Sequence, residues 1–283
     1  MIKGKRIVIT GGAGFVGTAL CKALAMDNEV ISIDNYFTGT EKNHINGVKY
    51  IRDSAENIMH LIDGKVHYVF HFGEYSRVEQ SFEDADFVLK NNQTSLPPVL
   101  NFCKEKAAKL IYSGSSTKFT LDDVGVLQSP YAYSKASNTN LVNAYATWFG
   151  LKYAITYFYN VYGPGEIDSG KYSTVVAKFI ALKKSGKKLP VVKPGTQVRN
   201  FTHIEDIING LLAVAENGEG DLYGIGSKDP FSIMELAEMF CCEIEEIPER
   251  KGNRMAAILE TSKTEKLGWS AKNNLRQYIK ENI

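Results

Sequence analysis

The sequence predicts an α/β fold: a doubly wound parallel sheet with a smaller α/β cap. Three observations point there. Short β-branched runs alternate with helix-length patterns as far as residue 159. Most of those runs are apolar throughout rather than every second residue, as strands covered on both faces are. A glycine-rich turn joins the first run to the first helical pattern.

Taken in order, "RIVIT" (6–10) and "EVISID" (29–34) read as strands, separated by the helical pattern "GTALCKALAM". Further strands are expected at 48–51, 67–72, 109–114 and 153–159, with long helical patterns at 84–106 and 133–150 between them. Pro97 and Pro98 inside the first of these should bend or interrupt it. Beyond "NVYGPGE" the elements shorten: helices near 174–184, 204–216 and 231–240, a loop at 192–200 and a strand near 221–225. The expected division is a main domain over 1–162 plus about 200–220, and a cap over 163–199 and 221–283. No internal repeat or low-complexity tract stands out.

The chain's 283 residues, 44% of them hydrophobic, suffice for a substantial core. Lysine plus arginine (33) nearly balances aspartate plus glutamate (32), so no overall field favours nucleic acid or an anionic membrane. No apolar run reaches the length of a spanning helix, and the first residues lack a signal-peptide pattern, so a cytoplasmic protein is expected. Cys21, Cys103, Cys241 and Cys242 show neither metal-ligand nor secreted-framework spacing and read as buried free thiols. No metal is expected.

"TGGAGFVG" places Gly11, Gly14 and Gly17 between a strand and a helix. Glycines there allow a tight turn and let the helix N-terminus approach a pyrophosphate. Asp34, ending the second strand about 20 residues on, suits the ribose hydroxyls and would repel a 2′-phosphate, so the cofactor should be NAD rather than NADP. This is the Rossmann-type arrangement. Further cofactor contacts are expected from Phe15 and Val16 in the turn, Asn35 beside Asp34, Asp53 and Ser54 after the third strand, Phe72 and Gly73 after the fourth, and Asn92. Asp53 reads equally as a solvated loop acid.

"SPYAYSKAS" sets Tyr131 four residues ahead of Lys135, one helical turn apart on the same face. Alone, the pair reads just as well as packing with a snorkelling lysine. With the glycine turn, "SGSS" ending the strand before it, "NVYGPG", "VRNFTHIEDI", "PERKGN" and "TSKTEKLGW", the chain resembles the extended short-chain dehydrogenase/reductase family. In particular it is similar to the sugar-nucleotide epimerases and dehydratases, over nearly its whole length.

The resemblance implies that Tyr131 takes the proton of the sugar 4-hydroxyl while hydride leaves C4 for NAD. It also implies that Lys135 favours the phenolate and holds the nicotinamide ribose, and that Ser115 hydrogen-bonds the reacting oxygen. A free phenol titrates near pH 10, so a basic tyrosine at neutral pH needs such charged neighbours. Ser116, Asn160, Arg199 and Arg250 match positions that hold the sugar and pyrophosphate, the arginines by bidentate bonds. Ala257 falls where epimerases of this kind gate sugar size, leaving room for an N-acetyl group; a core alanine is the alternative.

Related dehydratases carry an Asp-Glu pair where this chain has Ser116 and Thr117. The expected activity is therefore 4-epimerisation of a UDP-hexose or UDP-N-acetylhexosamine. A 4,6-dehydratase recruiting Glu74 or Glu166 is the alternative, and a non-catalytic NAD-binding relative a lesser one. Departures from the family border the sugar region: "STKFT" after Ser115, Glu74 and Tyr75 where small apolar residues are usual, and Tyr157 in place of an arginine. The resemblance also implies a homodimer built from the two long helices.

Overall fold

The computed structural model describes residues 2–119 and 125–283; Thr120, the last residue of "STKFT", lies outside them. The first half is a run of βα units: β1 (Arg6–Thr10), α1 (Phe15–Leu24), β2 (Glu29–Asp34), β3 (Val48–Arg52), α2 (Ile58–Leu61), β4 (Tyr68–His71), α3 (Ala85–Lys106), β5 (Lys109–Ser115), α4 (Pro130–Phe149) and β6 (Tyr153–Phe158). The second half adds β7 (Val161–Tyr162), α5 (Val175–Lys184), β8 (Leu189–Val192), β9 (Val198–Asn200), β10 (Thr202–His203), α6 (Ile204–Asn217) and β11 (Gly220–Ile225). It ends with β12 (Pro230–Ser232), α7 (Ile233–Glu238), β13 (Ile244–Ile247), α8 (Ser262–Glu265) and α9 (Leu275–Asn282).

Seven strands form one parallel sheet in the order β11-β6-β5-β4-β1-β2-β3. Alternation along β1 shows why its whole run is apolar. Ile7 and Ile9 join the core formed with α1 and α6, while Val8 points into the core formed with α3 and α4. The chain winds outward through β2 and β3, then returns to the other side of β1 as β4. That reversal opens a crevice at the carboxyl ends of β1 and β4, where ligands of such sheets bind.

One sequence expectation is corrected here. α3 runs unbroken through Pro97 and Pro98. Each proline forfeits one backbone bond, and burial of Leu96, Val99, Leu100, Phe102 and Cys103 along the helix compensates. The main sheet takes in Gly220–Ile225: β11 pairs in parallel with β6 after a crossover through α6. The remaining elements build a third core around Phe179, Leu189, Val191, Leu236, Phe240 and Ile279, with β13 beside β8 and β12 beside β9. Cys21 and Cys103 are buried as free thiols, whereas Cys241 is exposed, in a left-handed turn just after α7. Among the described residues no helix is long and apolar enough to cross a membrane.

Candidate active site

The glycine turn sits at the mouth of the crevice. Gly11 has φ +74°, and a Cβ on it would lie 2.9 Å from the Gly73 amide nitrogen. A Cβ on Gly17 would lie 2.1 Å from the Gly11 carbonyl oxygen, so α1 can press against the turn only without a side chain there. Gly14 caps α1 with no side-chain hydrogen bond, and the first turn of α1 carries no acid, leaving its positive end for a phosphate. Asp34 accepts hydrogen bonds from the Ala13 amide (2.8 Å) and the Tyr36 amide (2.8 Å), which fix it at the crevice wall. These features fit a dinucleotide.

Gly11, Gly14, Phe15, Val16, Gly17, Asp34, Asn35, Phe72 and Gly73 all line this crevice. Asp53, Ser54 and Asn92 do not. Asp53 accepts from the Ser54 amide (2.7 Å) and from Asn57 Nδ2 (2.7 Å). Asn92 is fully buried, accepting from the Tyr75 amide (2.7 Å) and donating to Ser134 Oγ (3.0 Å); its neighbour Asn91 lines the wall instead.

Deeper in, β5 ends in Ser115, whose Oγ accepts from Thr117 Oγ1 (2.9 Å) and the Thr117 amide (3.3 Å). Ser129 caps α4 by accepting from the Ala132 amide (3.1 Å), and Tyr131 follows in the first turn. Ser115, Ser116, Tyr131 and Asn160 share the crevice wall. Lys135 does not reach that wall. Its ammonium turns inward, bonding the Glu74 carboxylate and the Ser113 carbonyl, with a side chain only 5% exposed.

Glu74 is the centre of a buried polar cluster. Its oxygens accept from Tyr112 OH (2.9 Å) and Asn138 Nδ2 (2.6 Å) as well as from Lys135, and His71 Nε2 lies 3.5 Å away. Burial alone would raise its pKa; the adjacent Lys135 charge and His71 hydrogen bonding hold it below the ordinary carboxylate range instead. Glu74 is itself among the residues that line the crevice, with its carboxylate oxygens taken by Lys135, Tyr112 and Asn138.

Arg199 and Arg250 line an adjoining pocket that shares Asn160 with the crevice. Arg250 Nη1 pairs with Glu79 (2.6 Å), and burial, with Arg254 nearby, lowers the Arg199 pKa to about 10, still charged at neutral pH. Ala257 lines neither pocket. Two arginines that no motif singled out line both. Arg77 donates to the Tyr172 carbonyl (2.8 and 3.0 Å), and Arg254 donates to the Ser116 carbonyl (2.9 Å). Both lie within electrostatic reach of Tyr131. Glu166 also lines the crevice: one oxygen accepts from the Gly163 amide (2.8 Å), and the other is buried with no hydrogen-bond partner among the described residues. Burial pushes its pKa up to about 7.

A glycine turn that excludes side chains, opening at the switch point of a seven-stranded parallel sheet, defines a dinucleotide-dependent enzyme of the extended short-chain dehydrogenase/reductase type. The chain belongs to the NAD dependent epimerase/dehydratase family, whose profile matches residues 7–226, and its cofactor is NAD. It is 29% identical to UDP-glucuronic acid decarboxylase 5 of Arabidopsis thaliana, over 96% of this chain and 86% of that protein. It is 30% identical to a UDP-N-acetyl-alpha-D-glucosaminuronate decarboxylase of Bacillus cytotoxicus, over 83% and 78%. In structure it is similar to UDP-glucose 4-epimerase of Thermotoga maritima, with TM-score 0.90, 26% identity and coverage of 98% and 97%.

Proposed function

We propose that the protein is a nucleotide-sugar 4-epimerase acting on a UDP-hexose or UDP-N-acetylhexosamine. The observation that carries this reading is the commitment of Glu74. Ionised and held by Lys135, Tyr112 and Asn138, it has no proton to give a departing hydroxyl. Beside it, Ser116 and Thr117 offer only hydroxyl groups. That leaves Tyr131 as the acid–base group next to Ser115, and 4-epimerisation needs no other.

In this reading Tyr131 removes the proton of the sugar 4-hydroxyl and Ser115 hydrogen-bonds the same oxygen. NAD, when bound, supplies reversible hydride acceptance at C4. The 4-keto sugar turns over in the crevice, and Tyr131 returns the proton after reduction from the other face. Arg77, Arg199, Arg250 and Arg254 supply the positive wall that a diphosphate and a developing phenolate require. On this reading the sugar lies between the main domain and the cap. A homodimer through α3 and α4 is part of the same proposal, supported by Phe87, Trp148 and Phe149 exposed on those helices.

Glu166 favours a second reading. A carboxyl titrating near pH 7 in the crevice wall suits the acid that 4,6-dehydration needs. Proton NMR with UDP-GlcNAc and NAD in deuterated buffer separates the two. The expected result is a new set of anomeric signals for the 4-epimer with no deuterium in the sugar, abolished in Tyr131→Phe. A 4-keto-6-deoxy product with deuterium at C5 establishes dehydration instead. Turnover preserved in Tyr131→Phe removes Tyr131 from the mechanism.

A further inference from the structure

Between β7 and α5 the chain runs through residues 163–174 with no regular element, and within it Gly165 and Gly170 hold φ of +94° and +78°. The segment between β4 and α3 is tied to it at Lys171 and Tyr172. Arg77 donates to the Tyr172 carbonyl through two nitrogens, and Gln80 Nε2 donates to the Lys171 carbonyl (2.9 Å). Lys171 Nζ pairs with Asp84 (3.0 Å) and Glu83 (3.2 Å), while Tyr172 OH donates to Asp84 (3.2 Å). The Tyr172 ring packs against Phe37, from the segment after β2, and against Tyr75, with ring centres 5.3 and 6.1 Å away. These contacts join parts of one wall. Ser76, Arg77 and Val78 line the crevice from the first segment, and Glu166, Ile167 and Ser173 from the second.

We propose that residues 75–84 and 171–172 form a clasp across the crevice that must open for NAD to enter or leave. Its bonds run from protein to protein, so they are made whether or not the cofactor is bound. They therefore set the height of a barrier and leave the affinity alone. Lys171 and Asp84 are 40% and 23% exposed, so their ion pair contributes little by itself. The aromatic contacts and the charge-assisted bonds of Arg77 add to it. Gly165 and Gly170 already hold backbone conformations that resist other residues, which suits the ends of a segment that swings. A cofactor kept through each cycle is what the proposed 4-epimerisation needs, since hydride must return from the same molecule of NAD that took it.

The inference rests on NAD as the cofactor, and its test needs no sugar. Stopped-flow fluorescence with NADH as the probe gives the association rate, and displacement of bound NADH by excess NAD gives the release rate. Tyr172→Ala should speed both by about tenfold while Kd stays within about a factor of two. Lys171→Met, at a side chain open to solvent, should speed both by about threefold, and it carries the test if the tyrosine variant does not fold. Added salt should speed release from the parent more than from Lys171→Met. Rates that stay in place in a folded variant overturn the clasp. Faster release with unchanged association overturns it too, and makes the substituted side chain a direct cofactor contact instead. Absence of a 4-epimer in the NMR experiment would overturn the epimerase reading and leave these rates standing.

Discussion

Asp34 and Glu74 are both acids at the carboxyl edge of the same sheet, one ending β2 and the other three residues past β4, yet they are held in different ways. Asp34 is fixed by two backbone amides, those of Ala13 and Tyr36. Glu74 is fixed by side chains 38, 61 and 64 residues away, those of Tyr112, Lys135 and Asn138. An acid held by the backbone of a turn depends on the fold; an acid held by side chains depends on particular residues. Single substitutions should therefore affect the two sites very differently.

The sharpest contrast is Glu74→Ala. It strands the Lys135 ammonium in the interior, and breaking a buried pair this way costs about 3–5 kcal/mol, measurable by urea denaturation. A loss under 1 kcal/mol would mean that water reaches Lys135 and that the two acids are alike after all.

Glu166 tests the comparison from a third side, since it is buried and, among the described residues, no salt bridge holds it. Its pKa is raised by burial from 4.5 to about 7, so its contribution to stability is fully present below pH 4.5 and lost as pH rises through 7. Glu166→Gln should flatten that part of the stability–pH curve, gaining about 2–4 kcal/mol relative to the parent above pH 7. Glu74 has the opposite sign. With its pKa depressed, its contribution is present above the ordinary carboxylate range and is lost only as pH falls below it.

The smallest stability effect should come from Asp34→Asn. The amide oxygen can still accept from one of the two backbone donors, so the loss should be about 1–2 kcal/mol. NAD binding should also suffer, weakening about tenfold in a fluorescence titration, if Asp34 is the charged acceptor of the ribose hydroxyls.

The same distinction governs how much could be read from sequence. The glycine turn and Asp34 are local patterns set by backbone geometry, and the sequence displays them directly. So are β1, β2, β4, β5 and β6, whose burial on both faces favours largely apolar runs. Tyr131 and Ser115 were legible because a helix N-cap and a strand end place them on one wall. What Glu74 does was not legible, since its partners lie on α4 and β5 and only tertiary packing assembles them. Arg77 and Arg254 belong to no spaced motif, and their convergence on Tyr131 follows from the way two distant loops meet. Ala257 shows the reverse failure: a position matched by alignment need not line the site when the segment carrying it is irregular. β11 is short and weakly patterned, and pairing with β6 rather than its own composition makes it a strand.

That last strand also sets a constraint on synthesis. β6 is complete at Phe158, but its outer edge is paired only when Gly220–Ile225 has been made. Until then the nascent chain displays a strand of four consecutive buried-type residues with its outer-edge hydrogen-bonding groups unpaired, a surface prone to capture by another chain. Cap segments α5 and β8 leave the ribosome during that interval, so the main domain cannot finish folding before its insert is present.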